Sequence, residues 1–197
     1  MDLPFSQACE NNKDVILAVL QRHFTKPGRV LEIAGGTGQH AVHFAAQLPT
    51  LHWQSTEVPA AVARLNLRLQ AAVLPNLPLA LPLDVTQQDW ALQEFDYLFS
   101  ANSLHIMPQS AVVEFFRHLP DVLQPGAIVC VYGPFKYDGQ FTTPSNAQFD
   151  LWLKDNDARS GIRDFETVQT LALAAGLTLL EDNAMPANNQ LLVWRMA

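Results

Sequence analysis

The stretch VLEIAGGTGQ at residues 30–39 constrains this chain more than any other. Residues 30–33 read as a buried strand. The strand runs into a turn that carries Gly35, Gly36 and Gly38, three glycines within four residues. Backbone there can approach a ligand that a Cβ would obstruct. An apolar, alanine-rich helix is predicted over residues 40–48. Strand, glycine turn and helix together open a nucleotide-type α/β fold. An ordinary tight turn is the plainer alternative, but both flanks and the early position in the chain favour a ligand site. Gly36-x-Gly38-x-x-Ala41 also satisfies a relaxed dinucleotide fingerprint, which is weak by itself.

The rest of the chain continues that pattern. Val15, Ile16, Val19 and Leu20 fall at helical spacing in residues 11–24, with Asn11 or Asn12 as N-cap. Strands are predicted at 51–56, ending at Glu57, at 77–83, ending at Asp84, at 95–100 and at 127–132. Pro78 and Pro82 make the third of these an edge strand. Helices are predicted at 60–73 and 109–119, where Phe115 and Phe116 read as core. Residues 133–145 read as a long Gly-, Pro- and Thr-rich loop, of a length typical of site covers. Helices at 146–156 and 165–175, the latter capped by Asp164, precede an antiparallel pair at 177–183 and 190–195. Strands alternating with helices imply a mostly parallel sheet covered on both faces. No repeat or long linker divides residues 1–197, so one domain is expected.

Composition narrows the function. Hydrophobic residues make up 49% of the chain, which suits a packed core. No apolar run reaches the ~20 residues that span a bilayer, and the first residues lack the basic and apolar regions of a secretory leader. Cys9 and Cys130 suggest reduced thiols and a cytoplasmic setting rather than a disulfide framework. A net charge of −7 without a basic run disfavours nucleic acid and points to a small-molecule substrate. The oligomeric state stays open. His40 and His43 lie three apart on one helix, yet no third ligand stands at a helpful spacing, so no metal is expected.

Glu32 ends the first strand, and E-x-x-x-G-x-G after an apolar strand resembles motif I of class I S-adenosylmethionine (SAM) methyltransferases. Those enzymes often carry glycine where this chain has Ala34. Further motifs, NNKDVIL, VLEIAGGTGQHAVHFA, LDVT, SLHI, YGPF with DGQFTTPSNAQFD, GIRD and MPANNQLLVWR, run from about residue 9 to the C-terminus. As a set they resemble the family filed as domain of unknown function 938, whose animal relative is methyltransferase-like protein 26. The family commonly has Arg-Asn where this chain has Asn11-Asn12, and Ala-Ser-Gly where it has Ala34-Gly35-Gly36. The first departure removes a cation near the expected site, and the second deletes a hydroxyl. The resemblance implies a Rossmann-like α/β fold with a seven-stranded sheet and a C-terminal antiparallel hairpin, SAM as cofactor and methyl transfer as activity.

Candidate site residues follow. Glu57, at a strand end, can accept from both ribose hydroxyls, or be a solvated acid. The resemblance implies that Asp84 accepts from the adenine amino group while the Val85 amide caps the ring; the alternative is an Asp that caps the segment starting at Thr86. Asn102, Ser103 and His105 follow the fourth strand, where the transferred methyl group is expected. His105 can take a proton from an acceptor, or pack. Tyr132 can orient substrate or sulfonium, or be buried with a satisfied hydroxyl. Arg163 can clamp an anion, or serve a salt bridge. Asn12 is the expected contact to the zwitterionic end of SAM. The NNKD segment, residues 133–145 and the PANN turn are expected to cover the site. Two rivals remain at this level: a nicotinamide-dependent oxidoreductase, and a protein that binds SAM without transferring its methyl.

Overall fold

The computed structural model describes residues 3–197; Met1 and Asp2, part of the segment read for a leader, lie outside the described residues. Helix α1 (Gln7–His23) begins earlier than the apolar spacing implied. Its N-cap is Ser6, whose Oγ accepts from the Cys9 N–H at 3.3 Å, not Asn11 or Asn12. The first turns of α1 carry no apolar stripe because they face a cavity. Ile16, Leu17, Val19 and Leu20, farther along, are buried.

The succession β1 (Gly28–Glu32), α2 (Gln39–Gln47), β2 (Leu51–Glu57), α3 (Val62–Ala72), β3 (Leu81–Pro82), β4 (Phe95–Ala101), α4 (Gln109–Arg117), α5 (Leu119–Val122) and β5 (Leu123–Gly133) builds the parallel part of the sheet. After β6 (Phe135–Tyr137), β7 (Gln140–Phe141), α6 (Pro144–Asn156), β8 (Arg163–Asp164) and α7 (Phe165–Ala174), strands β9 (Leu177–Met185) and β10 (Asn189–Met196) close the chain as an antiparallel pair. The seven-stranded order is β3-β2-β1-β4-β5-β10-β9. Strands β3, β2, β1, β4 and β5 pair in parallel, and β10 runs antiparallel to β5.

Alternation along the central strands explains the two-faced core. Leu31, Val129 and Val131 face α4, α5 and α7, where Phe115, Phe116 and Val168 are buried. Val30, Ile128 and Cys130 face the opposite layer of α1, α2 and α3, with Ile16, Phe44 and Leu65. Strand β5, buried on both sides from Ala127 onward, reads as a continuous apolar run.

Three expectations need correction. The strand at 77–83 shrinks to Leu81–Pro82, though at the sheet edge as expected. Pro78 has no N–H for a ladder, and the preceding residue pair is held by Asn76, whose Nδ2 donates to the Ala45 and Leu51 carbonyls at 2.9 Å each. The stretch 133–145 is not an open loop, because β6 pairs with both β7 and β8 in a small second sheet. Asp164 does stand at the N-cap position of α7, but its carboxylate accepts from the Gly139 N–H at 2.8 Å rather than capping the helix.

The chain leaves β1 toward β2 on one side and returns to β4 on the other. The strand ends at this reversal part and leave a crevice. The turn above it bends through Ala34 at φ 61°, a left-handed conformation that costs an L-residue roughly 1–2 kcal/mol. Glycine would relieve this, while its freer unfolded chain takes back about 0.5–1 kcal/mol. Ala34→Gly is therefore expected to leave stability unchanged or raise it by up to about 1 kcal/mol, read from urea unfolding. A clear loss would show that the Ala34 methyl contributes packing that outweighs the strain.

Candidate active site

The crevice opens into a cavity of about 1010 Å³ at the carboxyl ends of β1, β2, β4 and β5. Its floor is the turn Ala34 to Thr37, Glu57 and Val58 after β2, and the segment from Ala101 to Met107 after β4. Tyr132 closes it from β5. The first turns of α1, one side of α6 and the β9–β10 turn at Pro186 and Ala187 wall the remainder.

The turn itself is shaped from below. A Cβ on Gly35 would lie 3.1 Å from Leu65 Cδ2 and 3.3 Å from Glu32 Oε2, so the absence of a side chain lets the loop settle on α3 and β1. Gly38, the N-cap of α2 at φ 76°, would put a Cβ 2.8 Å from Leu65. Glu32, only 2% exposed, is beneath the turn rather than on the cavity wall. Its Oε2 accepts from Trp53 Nε1 at 3.1 Å and from the Ser55 hydroxyl. Burial raises its carboxyl to about 7, against the opposing pull of those two donors.

Glu57 is aimed by backbone. Its Oε2 accepts from the Gly36 N–H and its Oε1 from the Val58 N–H, both at 2.8 Å. A carboxylate has about four acceptor positions, so one remains on each oxygen. Two hydroxyls on adjacent carbons match that pair.

The wall of α1 is pinned to the turn. Gln39 Oε1 accepts from the Ser6 N–H at 2.6 Å and from the Thr37 hydroxyl at 3.1 Å. His40 Nε2 donates to Asn12 Oδ1 at 2.7 Å, both residues being buried. Burial, and then the neighbouring His43, depresses His40 to about 4, so it is neutral at physiological pH. The Tyr132 hydroxyl faces the Asn12 and Asn189 amides, and burial raises its pKa. At the end of β4, Asn102 adopts φ 55° and donates its N–H to the Tyr132 carbonyl at 2.8 Å. His105 is 5% exposed and lies edge-on to Phe149, with centroids 5.4 Å apart. Burial first, then the Arg163 charge, lowers it to about 4.

A family model described as "Protein of unknown function (DUF938)" matches residues 3–196. The chain belongs to that family. Among solved structures, the DUF938 chain is similar to the mitomycin 7-O-methyltransferase MmcR, at TM-score 0.82 and 17% identity, over 96% of this chain and 54% of the other. It is similar to the S-adenosylmethionine-dependent methyltransferase SibL at TM-score 0.77 and 23% identity, over 96% of this chain and 55% of the other. Human N-acetylserotonin methyltransferase in complex with SAM matches at TM-score 0.79 and 15% identity, over 97% of this chain and 53% of the other. These likenesses show the class I methyltransferase fold, Rossmann-like with a C-terminal antiparallel hairpin. The chain spans about half the length of each of these structures.

The fold of the DUF938 chain gathers Asn12, Gly35, Gly36, Glu57, Asn102, His105 and Tyr132 around one cavity. It leaves Glu32, Gly38, Asp84, Val85 and Arg163 off the wall. Asp84 caps the segment starting at Thr86: its Oδ1 accepts from the Thr86 N–H at 2.9 Å and hydroxyl at 2.7 Å. Val85 is buried in the core. Arg163 is no anion clamp here. Its guanidinium donates to the Leu104 carbonyl at 2.9 Å, to the Arg159 carbonyl at 3.2 Å and to the Met107 carbonyl. It thereby braces the segment that carries His105, aided by Gly161 N–H donating to the His105 carbonyl at 2.9 Å. Of the three expected covers, α1 and the hairpin turn line the cavity, and the stretch 133–145 contributes only Pro134 and Ser145, with Asn146, Phe149 and Trp152 of α6 continuing the wall. Phe149 and Trp152 were legible only as an i, i+3 aromatic pair in a helix.

His105 gives the pH dependence of stability a sign. Its pKa is near 6.5 when unfolded and about 4 in the fold. Between these values the unfolded chain binds the extra proton, so stability is complete above pH 6.5 and lost as pH falls toward 4. Glu32 opposes this, since its raised carboxyl favours the fold at low pH and loses that contribution as pH rises through 7. The contrast between wild type and His105→Gln isolates the histidine. The stability advantage of wild type should be roughly 2 kcal/mol larger at pH 7 than at pH 4.5, read from urea unfolding at both. An equal advantage at both pH values would mean that His105 is solvated.

Proposed function

We propose that this chain is an S-adenosylmethionine-dependent methyltransferase acting on a small molecule. The observation that carries the reading is the Glu57 carboxylate, locked by Gly36 and Val58 with one acceptor position left on each oxygen, in the cavity that also holds His105 and Tyr132. The fold shared with structures named as SAM-dependent methyltransferases supports it.

The residues present suit that cofactor. Glu57 would take the ribose hydroxyls, the Gly35–Gly36 backbone would lie under the nucleoside, and the Asn12 and Asn102 amides, which both donate and accept, would meet the amino-acid end. SAM, when bound, supplies an electrophilic methyl group on a good leaving group. The protein's own part is then orientation and exclusion of water. Helix α1, fastened to the turn through Gln39 and His40, and the β9–β10 turn form the cover. Neutral His105, on the cavity wall, would offer a ring nitrogen that can receive the acceptor's proton. A pyrophosphate, as a nicotinamide dinucleotide requires, would seek the N-terminus of α2. There Ser6 and Gln39 already bind one another.

Glu57→Ala is expected to weaken S-adenosylhomocysteine binding by roughly 1–3 kcal/mol in a folded protein, and Glu57→Gln by less, as its amide oxygen still accepts. Calorimetry with S-adenosylhomocysteine and NAD provides the check. Binding of NAD without either sulfur nucleoside would overturn the assignment, and unchanged affinity in Glu57→Ala would remove Glu57 from the site.

A further inference from the structure

The cavity is chemically divided. Glu57 stands two strand spacings, roughly 9.5 Å, from β4. Beyond β4, the segment at Ile106 and Met107 meets the cavity side of α6. Residues Ser145, Phe149 and Trp152 fall on that side because they are four and three apart along the helix. The adjoining stripe of α6, at Asn146, Asp150 and Leu153, is buried. The Phe149 and Trp152 rings stack nearly parallel, at 13° and 5.8 Å between centroids. Trp152 is 57% exposed, an unusual place for the largest side chain. Among the described lining residues there is no lysine or arginine, and Glu57 is the lone carboxylate. Nearby charges are engaged elsewhere: Arg163 with carbonyls, and Asp150 with Lys154 at 2.6 Å and the Ile162 N–H at 2.7 Å.

We propose, building on the methyltransferase reading above, that the methyl acceptor is an uncharged aromatic molecule bearing a hydroxyl or thiol, held against Phe149 and Trp152 with its O–H or S–H turned to His105. Parallel ring faces favour a flat π-system over a puckered aliphatic ring. A carboxylate or phosphate would find no counter-ion at this end. A protonated amine could meet the ring faces but has no lone pair with which to attack. In transfer, the acceptor oxygen or sulfur bonds to the methyl carbon, the old methyl–sulfur bond breaks with its electron pair left on sulfur, and the acceptor's proton passes to the His105 imidazole.

Four naphthalene probes test this by calorimetry in the presence of saturating S-adenosylhomocysteine. 2-Naphthol should bind at least tenfold more tightly than 2-naphthoate and than decahydro-2-naphthol. It should also exceed 2-methoxynaphthalene, a preference that His105→Phe should erase. Phe149→Ala and Trp152→Ala should each lower 2-naphthol affinity about tenfold and leave S-adenosylhomocysteine affinity within twofold. Naphthoate or decahydronaphthol binding as tightly as naphthol would overturn the proposal, as would wild-type naphthol affinity in both alanine variants. Should S-adenosylhomocysteine fail to bind the wild type, the methyltransferase reading falls, and naphthol titrated alone then judges the aromatic pocket separately.

Discussion

The reversal of chain direction at β1 is the constraint on which the site depends. With β2 on one side and β4 on the other, two sets of strand-end residues are brought to one crevice while the helices stay on the two faces of the sheet. The glycine turn settles closely over Leu65 and Glu32, where a Cβ at Gly35 or Gly38 would press on the Leu65 side chain. Glu57 in turn reaches back to the turn's own N–H. The ligand-facing carboxylate is thus oriented by the backbone that forms the floor, and the two cannot be moved independently.

Buried polar groups hold this arrangement in place. Glu32 is satisfied by Trp53 and Ser55, and the Thr56 hydroxyl donates to the Glu32 carbonyl at 2.8 Å. Above the turn, His40 and Asn12 satisfy one another across two helices. Such pairs are costly to break, since either partner alone would be buried and unpaired. Their role is to fix α1 over the cavity. On the far side Arg163 does the same for the His105 segment, through carbonyls that would otherwise need other donors. An arginine in this position reads as an anion clamp in a sequence, while in the fold its guanidinium is taken up by loop carbonyls.

What the sequence disclosed follows from periodicity and punctuation. Strands buried on both faces appear as apolar runs, and the glycine turn appears as three glycines after one of them. Glu57 was legible because it ends a strand-like alternation at residues 51–56. The start of α1 was not, because a helix segment that faces a cavity need carry no apolar stripe. The strand near Pro78 is shorter than expected because an apolar run such as LPLALPL can persist where proline leaves no N–H for backbone pairing. Asp84 and Glu57 look alike in the sequence, each an acid closing a predicted strand, but Glu57 accepts from the Gly36 N–H of the turn whereas Asp84 accepts from Thr86. The aromatic side of α6 was not legible because Phe149 and Trp152 resemble core residues, whereas the buried stripe of the helix is the adjoining one at Asn146, Asp150 and Leu153.

The most direct measurement is a crystal structure of the full chain grown with S-adenosylhomocysteine. The nucleoside should lie over Gly35 and Gly36 with both ribose hydroxyls within hydrogen-bond distance of the Glu57 carboxylate, beneath the first turns of α1. Density for the nucleoside elsewhere, or a cavity that stays free of it at millimolar ligand, would contradict the assignment of this crevice as a SAM site.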